Sequence, residues 1–308
     1  MFELTTDADL GVQEAVIRVL HYYAMFNHPL NANEIHGSCS KYCSFPAIIT
    51  ALNNLYDANK IYNCGEYYSQ QNNIKELIER REKGYILALE KEKSARISGK
   101  IISWFPFVKF VGISGSLSKG NVGEKDDFDF FIVTETNRLW ISYTLLHLFK
   151  KMTFLFGLQH NFCMNYFVDT SNLSLDQQNI FIAIELASLI PLHDSVTYKQ
   201  LINANKWTVN YLPNTYVKFK KVDIVNDKKA IIKSALETII NLFWPTRLNE
   251  KLMQIIDKRR RKKWQKNNLP AEQYHLAFNT SLHVSKNHRA DRQKWIMKKL
   301  SEAGFDLR

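Results

Sequence analysis

Three features of the sequence predict an α+β fold for this 308-residue chain: helical apolar periodicity in its first and last thirds, two β-rich runs between them, and a composition of 45% hydrophobic and 23% charged residues. Such a composition excludes a disordered, collagen-like or small disulfide-stapled chain. The length suits two or three packed units. Four segments are expected: a small helical unit with a hairpin over 1–72, a helical connector over 73–104, a core sheet with flanking helices over 105–215, and a basic helical C-terminal domain over 216–308.

In the first segment Val12, Ala15, Val16, Val19, Leu20, Tyr23 and Ala24 form one helical stripe, which Pro29 ends. Asn31 or Asn33 can cap a short second helix through Ile35, and Ser44-Phe45-Pro46 opens a third that carries Ile48, Ile49, Leu52 and Leu55. Lys60 to Ser69 reads as strand, Asn/Gly turn, strand. Three small helices and a hairpin resemble a winged helix-turn-helix, whose DNA-binding members lay the third helix in the major groove. Here that helix has no Arg or Lys before Lys60, so residues 1–72 are expected to pack or to dock a protein partner rather than read DNA. Asn73 to Ser103 follows as a long helix of mixed charge, read as a salt-bridged connector.

The central segment carries the chemistry. Phe107 to Ile113 is β-rich and runs into the small-residue turn Ser114-Gly115-Ser116-Leu117-Ser118-Lys119-Gly120, and a second apolar strand opens at Asp127-Phe128-Asp129-Phe130-Phe131-Ile132-Val133. A strand period of two sends Asp127 and Asp129 to one side. Two carboxylates so placed repel unless a cation neutralises them, and Mg²⁺ prefers such oxygen ligands. Backbone N–H groups of a Gly-Ser turn, with the Ser116 hydroxyl, suit phosphate oxygens.

This combination of Gly115-Ser116, ten intervening residues and Asp127-Phe128-Asp129 at the head of an apolar strand resembles the polymerase-beta-like nucleotidyltransferase superfamily. The resemblance implies a nucleotidyltransferase core in which Asp127 and Asp129 are catalytic and bind Mg²⁺ or Mn²⁺. It also implies that Gly115, Ser116, Ser118 and Lys119 hold a nucleoside triphosphate, ATP favoured. Catalytic members of that superfamily carry a third acid on a later strand. On the candidate strand Asn161–Asp169, Asn165 stands where the acid is expected; Asp169 has the same parity two positions later, where it serves either as a third catalytic carboxylate or as a turn former. If neither serves, the domain is expected to bind nucleotide without turning it over.

Ile180 to Ile190 reads as a buried helix ending at Pro191, with Glu185 expected to pair with a base. Tyr198 to Tyr211, Lys228 to Trp244 and Leu248 to Lys266 read as further helices. Residues 200–308 carry a net charge of +14 against −3 for 1–199. The run Lys258-Arg259-Arg260-Arg261-Lys262-Lys263 either contacts a nucleic-acid backbone or is a solvated helix end. Tyr274 to His288 reads as a polar loop in which Lys286 and His288, with Arg292 beyond it, form a phosphate-facing set. Cys39, Cys43 and Cys64 lack the spacing of a full zinc ligand set. No apolar stretch long enough to span a membrane is free of central charge, and no secretory n-region is found, so a cytoplasmic protein is expected.

Overall fold

A computed structural model describes residues 7–215, 229–243, 246–268, 274, 278–287 and 290–305. The N-terminal unit holds α1 (Asp7–Ala24), β1 (Leu30–Asn31), α2 (Ala32–Ser38), α3 (Phe45–Asp57), β2 (Tyr62–Cys64) and β3 (Tyr67–Ser69). Asn31 caps α2 in a reciprocal capping box with Glu34, and the Ser44 hydroxyl caps α3 next to Pro46. Val16, Leu20, Ile35, Ile48, Leu52 and Leu55 close a small core between the three helices. The expected hairpin gains a third strand, since β1 pairs with β3.

The 30-residue α4 (Ile74–Ser103) joins this unit to a six-stranded mixed sheet. Arg81 on α4 forms a 2.6 Å ion pair with Glu34 and stacks on Tyr67, which fixes the N-terminal unit to the helix. The sheet contains β4 (Val108–Ser114), β5 (Asp129–Thr134), β6 (Cys163–Asp169), β7 (Ile190–His193), β8 (Phe278–Thr280) and β9 (Val284–Asn287), in the order β7-β4-β5-β6-β9-β8. Among its neighbouring strands β5 and β6 run parallel, joined through α6 (Leu139–Thr153), and the other pairs are antiparallel.

One sheet face packs Val111, Ile113, Phe130 and Ile132 against α4 and α6. The opposite face packs Phe110, Phe131, Val133, Val168 and Val284 against α7 (Ile180–Ser188) and α8 (Ser195–Ala204). The strands alternate between the two faces, as the period of two requires. α9 (Lys229–Phe243) seats Ile240 on Phe107 and Ile141, and α10 (Thr246–Lys266) lies along α6. The C-terminal α11 (Ala290–Glu302) returns to α1 and α7 through Ile296 and Leu300.

Three expectations are corrected. Phe278–Thr280 and Val284–Asn287 are strands of the core sheet, not part of a polar loop, so this stretch of the expected C-terminal helical domain belongs to the core. The span expected as one helix from Tyr198 to Tyr211 is α8 followed by a 3-10 turn at Lys206–Asn210. α4 is no mere connector, because Ala95 and Ile102 are buried against the sheet. Among the described residues no helix is long and apolar enough to cross a membrane.

Candidate active site

The site begins where β4 ends. Ser114 and Asp129 are the last partners of the β4–β5 ladder, so the turn that follows Ser114 stands beside the start of β5. Gly115 opens the short α5 (Gly115–Ser118) with φ +71°, a conformation that glycine adopts without strain. Space imposes the same choice. A Cβ at Gly115 would run into an oxygen of the Asp129 carboxylate, with the Asp129 Cβ and Cγ 3.1 Å away.

The loop between α5 and β5 is held from two directions. The Asp126 carboxylate accepts from the Gly123 amide at 2.9 Å and from the Ser116 hydroxyl at 3.1 Å. From α4, the Lys91 ammonium donates to the carbonyls of Gly123, Glu124 and Asp126 at 2.9, 2.8 and 3.2 Å.

Asp127 and Asp129 line the same cleft, which has a volume of about 2300 Å³. Asp127 precedes β5, is partly exposed, and meets His160 Nδ1 at 2.6 Å. Asp129 is the more enclosed. Burial pushes its carboxyl up to about 6, and the negative charges of Glu185 and Asp127 push in the same direction against hydrogen bonds from Cys163 and Asn165. Asn165 falls at a register shift in the β5–β6 ladder, and its amide donates to Asp129 Oδ1 at 2.8 Å. The position expected for a third acid therefore does face Asp129, with an amide on it. Burial and the adjacent Asp129 charge push the Cys163 thiol up to about 12, so it remains protonated.

Asp169 lies elsewhere. β5 and β6 are parallel, with Asp129 opposite Cys163 and Thr134 opposite Asp169, so Asp169 sits at the far end of the strand. Its fully buried carboxylate accepts from the Asn137 amide and from the Ser171 amide and hydroxyl, and meets His283 Nδ1 at 2.7 Å. It organises the turns at that end. The catalytic role considered for Asp169 is corrected on this geometry.

Lys119 and Ser118 face inward. The Lys119 ammonium donates to Glu185 Oε1 at 2.8 Å and to the Gly115 carbonyl at 3.0 Å, so Glu185 has the basic partner expected of it. The Ser118 hydroxyl donates to the Gly115 carbonyl, also at 3.0 Å. Both side chains brace the turn, and Lys119 also lines the cleft.

The basic run divides. Arg260 lies over Trp140, Tyr143 and Phe278 and donates to Thr280, Tyr143 and Ser285, so it is an internal strut. Arg261 pairs with Asp257 and lies over Tyr274. Lys258, Arg259, Lys262 and Lys263 are exposed. Of the phosphate-facing set, Lys286 is a buried cleft-lining residue on β9, while His288 and the Arg292 side chain lie outside the described residues.

Sequence reasoning missed Asp126, His160, Cys163 and Lys91 as parts of the site. His160 was within reach: a residue just before a strand that runs parallel to β5 must fall beside the residues just before β5. Lys91 left no signal, since nothing in a 30-residue helix of mixed charge says which lysine meets a distant loop. No family model, no curated protein and no solved structure matches the chain.

Proposed function

We propose that this protein is a metal-dependent nucleotidyltransferase that moves a nucleoside monophosphate from a nucleoside triphosphate to an acceptor hydroxyl. The observation that carries this reading is the meeting of the Gly115 main chain with the Asp129 carboxylate in the wall of a large cleft that Asp127 also lines. A phosphate-holding turn and a pair of carboxylates are thereby brought to one point.

The donor set fits a divalent cation. Asp129 is enclosed and carries the repulsion of Asp127 and Glu185, which a hard cation relieves. Among the described residues no three His, Cys, Asp or Glu side chains group into a complete metal site. Mg²⁺ needs no such cage, since it commonly takes one or two carboxylates and completes its shell with water and substrate phosphates. Bound by Asp127 and Asp129, it would neutralise phosphate charge.

The chain's own residues supply position. Amides of the Gly115-Ser116 turn hold the leaving phosphates, joined by the Ser116 hydroxyl once it turns from Asp126, and Lys119, anchored by Glu185, adds positive charge beside that turn. The acceptor oxygen forms a bond to the α-phosphorus as the bond to the β-phosphate oxygen breaks; pyrophosphate leaves with that electron pair, and the hydroxyl proton passes to solvent. The gain comes from alignment and charge neutralisation. ATP is the favoured donor, a cytoplasmic setting the favoured location, and the N-terminal unit a winged-helix-like module suited to docking protein, since α3 presents no basic side chain.

Asn165 favours a second reading, in which the same fold binds nucleotide, or nucleic acid through Lys258, Arg259, Lys262 and Lys263, without turnover. An amide beside Asp129 neither takes a proton nor adds a negative charge to a metal site. Transfer of α-phosphate label from each of four nucleoside triphosphates to acceptors in a cell extract, with Mg²⁺ or Mn²⁺, separates the two. Label above the Asp127→Asn/Asp129→Asn baseline supports transfer; label equal to that baseline supports binding alone.

A further inference from the structure

Lys286 is a buried cation that, among the described residues, is held by neutral acceptors. It is 5% exposed on β9, between β6 and the edge strand β8, and its ammonium donates to two neutral acceptors, Gln177 Oε1 at 2.5 Å and Gln293 Oε1 at 3.1 Å. Among the described residues no carboxylate lies within ion-pair distance of it. Burying an ammonium is costly unless something pairs with it, and a lysine left so inside a protein wall marks a position that an anion completes. Burial lowers its pKa to about 8, so it stays mostly protonated at neutral pH.

Its place in the sheet says which substrate would carry that anion. Phe131 on β5 pairs with Tyr166 on β6, and Tyr166 pairs with Lys286 on β9, so the three form one row across the sheet. Phe131 and Val284, two residues from Lys286 on β9, both pack into the core on the α7 side, which puts Lys286 on that face. Asp129, two residues before Phe131, shares it. Asp129, Phe131, Tyr166 and Lys286 line the same cleft, and strand spacing sets Lys286 roughly 12 Å from Asp129.

Direction follows from strand order. The Gly115 turn leaves β4, on one side of β5, whereas Lys286 stands on β9, beyond β6 on the other side. In-line displacement requires the attacking and leaving oxygens to lie on opposite sides of the α-phosphorus. With the leaving phosphates at the Gly115 turn, the acceptor enters from the β6 and β9 side. Resting on the nucleotidyltransferase reading, we infer that Lys286, Gln177 and Gln293 form the acceptor subsite, and that the acceptor carries an anionic group, phosphate or carboxylate, separated from its reacting hydroxyl by a body that spans the cleft between Lys286 and Asp129. This excludes a neutral sugar or an uncharged alcohol as the preferred acceptor.

The test titrates full-length protein with inorganic phosphate and, separately, with citrate as a carboxylate probe, and with MgATP, by calorimetry. Lys286→Met removes the charge at similar volume; Lys286→Arg keeps it and guards against a packing artefact. The inference predicts that wild type and Lys286→Arg bind at least one of the two anions, that Lys286→Met binds it at least tenfold more weakly, and that all three bind MgATP within twofold of one another. Phosphate or citrate supported alone identifies the acceptor's anion. Anion binding unchanged in Lys286→Met, or absent from wild type, overturns the subsite. A matching loss of MgATP affinity in Lys286→Met overturns its assignment to the acceptor and gives Lys286 to the nucleotide. Failure of the underlying reading looks different: MgATP binding would then be indifferent to Asp127→Asn/Asp129→Asn, whatever Lys286 does.

Discussion

The main chain of Gly115 and the carboxylate of Asp129 share a volume that admits no side chain on the glycine. Ser114 and Asp129 close the β4–β5 ladder, so the turn and the first acid of β5 are in register by backbone pairing, before any ligand arrives. Preorganisation of this kind is what positional catalysis needs.

Gly115→Ala should therefore be costly twice over, through its positive φ and through collision with Asp129. The expected loss is about 2 kcal/mol or more in urea unfolding, with nucleotide binding abolished. Gly123→Ala is the control. Its new Cβ would meet Asp126 no closer than 3.5 Å and its amide is retained, so a change within about 0.5 kcal/mol is expected.

Asn165→Asp places a second carboxylate against Asp129 and removes the 2.8 Å amide hydrogen bond. In chelator, the variant should be less stable than wild type by about 2 kcal/mol. Added Mg²⁺ should restore more of its melting temperature than it adds to wild type. Equal Mg²⁺ responses in the two proteins would show that position 165 does not face the metal.

Arg260 and the exposed lysines of the same run should behave oppositely. Arg260→Ala removes three hydrogen bonds and contacts with three aromatic rings, and about 2–4 kcal/mol of stability should go with them. Lys262→Glu/Lys263→Glu should leave the urea midpoint within about 0.5 kcal/mol of wild type, because both side chains are exposed. Salt-dependent nucleic-acid binding, if measured, should fall only in the second variant.

Acid should destabilise the fold through two histidines. His28 accepts from the Arg81 guanidinium at 3.2 Å and His147 stacks on Tyr143; burial, with nearby positive charge, pushes each down to about 4. In the unfolded chain both titrate near 6.5, so below that pH the unfolded state binds more protons. Their contribution is fully present above pH 6.5 and is lost as pH falls toward 4. Urea midpoints measured across that window should decline, and His28→Gln/His147→Gln should flatten the decline.

Local rules made much of this architecture legible. The capping residues Asn31 and Ser44, the apolar stripe of α1 and the strand-turn-strand around Gly115 and Asp129 are short-range signals, and the structure carries each. Glu185 was legible as a buried acid in want of a base, but nothing in the sequence named Lys119 as that base. What escaped was set by tertiary register. Asp169 has the sequence parity of Asn165, yet the register shift at Asn165 breaks that alternation and pairs Asp169 with Thr134 at the far end of β5. The strands around Lys286 are only three and four residues long and rich in polar groups, so they read as loop until β6 supplies a pairing edge. Arg260 looked like its neighbours because the rings that enclose it come from α6 and β8.

The central claim, that Asp127, Asp129 and the Gly115 turn hold a metal-bound triphosphate, is tested most directly by calorimetric titration of ATP into wild type and Asp127→Asn/Asp129→Asn, each with Mg²⁺ and with chelator. Binding that requires Mg²⁺ in wild type and is at least tenfold weaker in the double variant is the result expected. ATP binding that is indifferent to Mg²⁺, or equal in the two proteins, would contradict the claim.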